Sequence, residues 1–167
     1  MPLDLDALWD LGQPEVSEAR FRTALESASP EESLVLRTQI ARAHGLRRDF
    51  DAARRLLAEL EPALMGAGHE ARARHAVELG RTYASAKHAP DSQTPEVREL
   101  ARASFLRARD IAREGRLDGL VIDALHMLAF VDTLPADQLR WGQEALAAVE
   151  ASEQPSAKKV TVRSRPS

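Results

Sequence analysis

Apolar residues in this chain recur at three and four, and almost nowhere at two. That spacing puts them on one face of a helix rather than one face of a strand, so it constrains the fold more than any other feature. Ile40, Ala41 and His44 follow Leu34 on one such stripe, and Phe50, Ala53, Leu56, Leu57 and Leu60 form the next. Val77, Leu79, Gly80 and Tyr83 make a third, and Leu100, Ala101, Phe105, Ala108 and Ile111 a fourth. Leu117, Val121, Leu125, Leu128 and Ala129 come next, and Leu139, Leu146 and Val149 close the series. No segment alternates with β-branched residues, so no strand is expected.

The punctuation agrees. Pro14, Pro30, Pro95 and Pro135 stand where a first helical turn begins, a place where the missing N–H costs nothing. Ser29, followed by Glu32, has the pattern of a reciprocal capping box, and Asp49 and Thr94 fit as N-caps. Gly12, Gly45, Gly66, Gly68 and Gly115 follow helical stretches and are expected to take left-handed closing positions. Eight helices result, over 4–11, 14–28, 30–44, 49–61, 69–87, 95–114, 117–132 and 135–151. Most connections are short, which implies antiparallel hairpins. The polar stretch 87–94 is the one longer loop.

Composition narrows the class. The 167 residues suit one domain, and 44% hydrophobic content is enough for a core. Cysteine is absent, which removes disulfide scaffolds and thiolate metal sites. No apolar run is long enough to span a membrane, and the acidic start, Met1-Pro-Leu-Asp-Leu-Asp, does not look like a signal peptide. A cytoplasmic location is therefore expected. The net charge is −3. Lys158, Lys159, Arg163 and Arg165 against Glu153 make the end of the chain basic and the body acidic. An acidic body argues against broad nucleic-acid binding. The division expected is a helical domain over 1–151 and a disordered basic tail over 152–167.

Catalytic and cofactor signatures are missing. There is no glycine-rich phosphate loop, no nucleophile elbow and no dinucleotide fingerprint. His69-Glu70 lacks a second histidine four residues after the first, where Ala73 stands, and His44 and His75 have no ligand partner at helical spacing. No enzyme activity, cofactor or metal is expected.

Leu79-Gly80-x-x-Tyr83, then Ala101-x-x-x-Phe105-x-x-Ala108, resembles the two helices of a tetratricopeptide repeat. Gly80 and Ala101 would be the small residues at a close crossing, with Tyr83 and Phe105 filling the gaps beside them. Asp49-Phe50-Asp51-Ala52-Ala53 is similar to the turn of the preceding repeat. The resemblance covers about 4–150, with one repeat near consensus. From Ala53 to Ala101 is 48 residues, against a period of about 34, and the inserted loop and longer helices take up the excess.

The resemblance implies an all-α superhelix of about four antiparallel hairpins, a solenoid with a concave face that holds a peptide or protein partner. Carried over by spacing, the groove positions are Thr38, Arg42, Arg74, Val77, Arg81, Asp123, His126 and Phe130. Three arginines there favour an acidic or carboxylate-bearing partner. The Lys/Asn clamp of chaperone-binding members is absent, because Thr38 and Arg42 stand in its place. The expected function is a non-enzymatic interaction scaffold. The alternatives are an assembly protein that uses the array for self-association, or a regulator whose basic tail touches nucleic acid. Trp9 and Trp141 near the two ends suggest a homodimer that covers one end of the array.

Overall fold

A computed structural model of the chain describes residues 2–154 and Ala157. Among them are eight α-helices, one 3₁₀ turn and no strand. The helices are α1 (Leu5–Leu8), α2 (Pro14–Leu25), α3 (Pro30–Leu46), α4 (Phe50–Leu64), α5 (His69–Tyr83), α6 (Pro95–Glu114), α7 (Asp118–Val131) and α8 (Pro135–Ala151). The 3₁₀ turn, Pro90–Ser92, lies in the long loop before α6.

Helix starts follow the local chemistry of the sequence. Proline opens α2, α3, α6 and α8. Ser29 Oγ accepts from the Glu32 amide at 3.2 Å while Glu32 accepts from the Ser29 amide at 3.0 Å, so the capping box is complete. Asp49 and Thr94 cap α4 and α6 through their side chains.

Helix ends follow other rules. Among the described residues no glycine has a positive φ; the left-handed positions belong to Arg48 (φ 65°) and Arg116 (φ 54°). After each of these the chain closes its helix with a bond back across five residues: Asp49 N–H to the His44 carbonyl, and Leu117 N–H to the Ala112 carbonyl. Gly45 lies inside α3, Gly115 stays right-handed, and Gly68 begins α5 instead of ending α4. α5 stops at Tyr83 rather than 87, because Ala84 is extended (φ −143°, ψ 119°). Two of its last carbonyls are then satisfied by loop side chains: His88 Nε2 donates to Thr82 O at 2.8 Å and Gln93 Nε2 to Tyr83 O at 2.9 Å.

Packing is sequential. α2 packs on α3, α3 on α4, α4 on α5, α5 on α6, α6 on α7 and α7 on α8. In addition α3 lies against α5, and α5 touches α7, so these three helices stand side by side. α5 and α6 approach closely at Gly80, over which the Phe105 ring lies. Phe105, Ala101, Leu125, Leu128 and Trp141 belong to the largest core cluster, and Phe21, Leu36 and Ile40 to a separate one near the start of the chain. Burying each large apolar side chain contributes about 1.5–3 kcal/mol.

Both tryptophans are used within their own hairpins. Trp9 meets Phe21 edge-on at 4.8 Å and donates to Gln39 Oε1 at 2.9 Å. Trp141 is buried and donates to Asp132 Oδ2 at 2.7 Å. Trp141 is thus covered by its own chain, whereas Trp9 stays half-buried. α8 buries Trp141 and Ala145, one turn apart, whereas Leu139 and Leu146 are 62% and 55% exposed and point away from the core. Past 151, Ser152 Oγ donates to Asp118 at 2.7 Å, and Gln154 Nε2 to the Arg116 carbonyl at 2.7 Å. Residues 155, 156 and 158–167 of the expected tail lie outside the described residues. No helix among the described residues is long and apolar enough to cross a membrane.

His75 gives the fold a pH dependence. It is buried on α5, and its Nε2 donates to the Leu57 carbonyl at 2.8 Å, across to α4. Burial pushes its pKa below the usual 6.5; the bond to Leu57 and nearby Glu61 oppose this, Arg107 adds to it, and the net shift is downward. The unfolded chain thus takes up this proton at a higher pH than the folded one. Stability is full above pH 6.5 and declines as the pH falls below it. Half-buried His126 on α7 shifts the same way, by burial with Asp123 opposing. Urea midpoints are expected to be lower at about pH 5 than at about pH 7.5. His75→Gln keeps a donor for Leu57 and should shrink that difference; an unchanged difference would refute the assignment.

Candidate partner-binding groove

The face where α3, α5 and α7 stand side by side holds an open cavity of about 290 Å³. α3 contributes Arg42, α5 contributes Glu78 and Arg81, and α7 contributes Met127 and Phe130. Phe50 and Lys87 close the side nearest the long loop. His88 fixes that wall: its ring stacks on Phe50 with centroids 3.8 Å apart and planes 12° apart.

One ion bridge organises the floor. Arg81 Nη1 donates to Glu78 Oε1 at 2.7 Å, and Nη2 to Asp123 Oδ1 at 2.7 Å, so a single guanidinium ties α5 to α7. Burial alone would lower the Arg81 pKa, but Asp123 and then Glu78 outweigh it and hold the guanidinium well above its ordinary value. Burial works on Asp123 the opposite way, raising its pKa. Arg81 and Arg42 overcome that, and its carboxyl titrates below the ordinary 3.8.

Arg42 differs. It is half-buried, makes no ion pair within 4 Å among the described residues, and lies over the Trp9 ring with Cζ 5.3 Å from the centroid. Burial, reinforced by the neighbouring Arg81, lowers its pKa, with Glu78 and Asp123 opposing. Glu78 has one oxygen to spare: its Oε2 is buried with no hydrogen-bond partner among the described residues. Arg42 and Arg81, with Arg74 behind them, are cations that act on this corner; Arg81 is held by Glu78 and Asp123, whereas the Arg42 donors are uncommitted among the described residues.

The sequence-derived positions separate into three groups. Arg42, Arg81 and Phe130 line the cavity, and Asp123 is bound to Arg81 beside it. Arg74 and His126 are half-buried, and Arg74 Nε donates to Glu70 on its own helix at 3.0 Å. Thr38 and Val77 offer no surface, at 0% and 1% exposure. Thr38 instead donates to the Val35 carbonyl at 2.6 Å and accepts from Gln39. Both lie one turn before a cavity-lining arginine, Arg42 and Arg81, on the same helix face but where neighbouring side chains cover it. Glu78 and Met127 were missed, although each sits a helical turn from a chosen residue, Arg81 and Asp123. Phe50 and Lys87 had no local signal, because the loop fold brings them in.

Among the described residues no three acids or histidines converge as metal ligands. Compared with protein-family models, with curated proteins and with solved structures, the chain finds no match in any of the three.

Proposed function

We propose that the chain is a non-enzymatic interaction module, a tetratricopeptide-like array of helical hairpins that takes a peptide segment of a partner on the α3/α5/α7 face. One observation carries this reading: a half-buried guanidinium with no carboxylate partner among the described residues, Arg42, at the edge of a cavity with apolar walls. A buried charge without a partner is costly, and a ligand carboxylate would compensate it. Phe130 (45% exposed) and Met127 supply the apolar contact. The segment that fits is an acidic side chain beside a large apolar one.

Arg42 is the residue to change, since Arg81 holds the fold together. Selection from a displayed peptide library should enrich Asp or Glu next to Leu, Phe or Met. Arg42→Glu, with an unchanged circular dichroism spectrum, should weaken the enriched peptides at least about tenfold. Equal binding by the variant, or no enrichment, would end this reading. A second reading, self-association, is favoured by exposed Leu134 just before α8 and Leu139 and Leu146 on it. In that case light scattering finds a dimer that Leu139→Glu with Leu146→Glu dissociates and Arg42→Glu leaves intact.

A further inference from the structure

On the far side of α3 from the groove, α2 and α4 both pack against α3 but have no extensive contact with each other. The gap between them is an open cavity of about 380 Å³. α3 supplies both faces by its period: Ala41, Arg42 and Gly45 line the groove, whereas Arg37, Ile40 and His44 line this cleft. The floor is apolar, made by Leu25, Ile40 and Leu56.

The rim is a set of donors. Arg22 comes from α2, Arg37 from α3 and Arg55 from α4, and Glu59 is the one acid in the lining. Among the described residues Arg37 and Arg55 form no ion pair and no hydrogen bond, even though Glu59 stands four residues after Arg55. Arg22 donates to Glu18 through Nε (3.0 Å) and Nη2 (2.7 Å), which leaves Nη1 uncommitted. His44 adds another donor. Its Nδ1 lies 2.9 Å from Arg47 Nη2, and a guanidinium can only donate, so Nδ1 accepts and Nε2 carries the proton.

We propose that this cleft is a second binding site, for a phosphate monoester carried on a small apolar body. Counting Glu18, which holds Arg22, and Arg47, which shares that carboxylate, four arginines against two glutamates leave two positive charges in excess, which a phosphate dianion matches and a single carboxylate does not. Guanidinium forks on facing helices reach its oxygens from both sides, and the apolar floor accepts the group that bears it. The cavity is of the size that small-molecule sites have. The site is separate from the groove and does not depend on what binds there.

Phenyl phosphate is the probe. Titrated into the full chain labelled for amide NMR, it should give saturable shifts at millimolar concentration or below, centred on Arg37, His44 and Arg55. Inorganic phosphate should bind more weakly for want of the floor, and phenol for want of the charge. Arg37→Ala with Arg55→Ala removes two side chains that make no internal bonds, so the fold should persist and phenyl phosphate affinity should fall at least about tenfold. Arg42→Glu on the opposite face should leave it unchanged. A phosphotyrosine pentapeptide run beside phenyl phosphate identifies the source: tighter binding of the peptide points to a phosphorylated protein, tighter binding of phenyl phosphate to a small molecule. Shifts that never saturate, an unaffected double variant, or phenol binding as well as phenyl phosphate would each overturn the proposal.

Discussion

Arg81→Met is expected to lower stability by about 3–5 kcal/mol, because it leaves buried carboxylate behind without its cation. Glu78 is only 4% exposed, and its second oxygen already lacks a partner. Asp123 loses the charge that most depresses its pKa. Arg42 is near enough to compensate in part, which places the loss at the lower end if its side chain turns from Trp9 toward Glu78. Two further measurements separate this account from simple loss of packing. Glu78→Gln in the Arg81→Met background should recover part of the stability, because the uncompensated charge is gone. The deficit should also shrink in acid. Asp123 has a lowered folded pKa, so its contribution is present above the unfolded value of 3.8 and fades as the pH drops through the folded value. Urea midpoints of wild type and variant should therefore draw together as the pH falls below 3.8. A deficit below about 1 kcal/mol at neutral pH, the range of an exposed pair, would show that the bridge is solvated and not structural.

This bridge also marks where sequence reading stops. Glu78 and Arg81 are three apart on one helix, and such pairs are readable from spacing. Asp123 lies 42 residues further on, and only the meeting of α5 and α7 selects it among 26 acids. Helix starts were legible for the same reason that Glu78 was. A cap or an N1 proline acts within one turn, so Ser29, Asp49, Thr94 and the four prolines carried their own evidence. Helix ends were not. The left-handed residue is set by how the chain leaves toward its next packing partner, and here Arg48 and Arg116 accept that conformation while glycines close by do not. α8 illustrates a further limit. Leu139 and Leu146 make as good a stripe as Trp141, Ala145 and Ala148, and only the surface of α7 decides which of them is covered. All-helical architecture survives such errors because it depends on period. Groove membership does not, because Thr38 and Val77 share a face with Arg42 and Arg81 one turn later, and only the packing of neighbouring helices buries the first pair while the second reaches the cavity.

Gly80→Ala is expected to destabilise the chain, although alanine is the better helix former. A Cβ at this position would lie 2.4 Å from Phe105 Cε1, 2.7 Å from Cδ1 and 2.8 Å from Cζ. The ring is fully buried among Ala101, Leu125 and other members of the main cluster, so it has no free volume to retreat into. Overpacking of this kind costs about 1–3 kcal/mol, against a gain of about 1 kcal/mol from replacing glycine within a helix. Phe105→Ala alone should cost about 3–5 kcal/mol by loss of burial and the cavity left behind. The informative experiment is the cycle. With the ring absent nothing opposes the new methyl group, so Gly80→Ala should turn stabilising, by about 1 kcal/mol, in the Phe105→Ala background. A Gly80→Ala protein more stable than wild type by about 1 kcal/mol, the full helix-propensity gain, would mean that α5 and α6 are not in van der Waals contact here. The consequence reaches the groove, since Glu78 and Arg81 flank Gly80 on α5. The depth at which α5 sits on α6 fixes where the guanidinium of Arg81 meets Asp123. An α5 pushed outward would strain the 2.7 Å bond across to α7 before it changed anything that touches a partner.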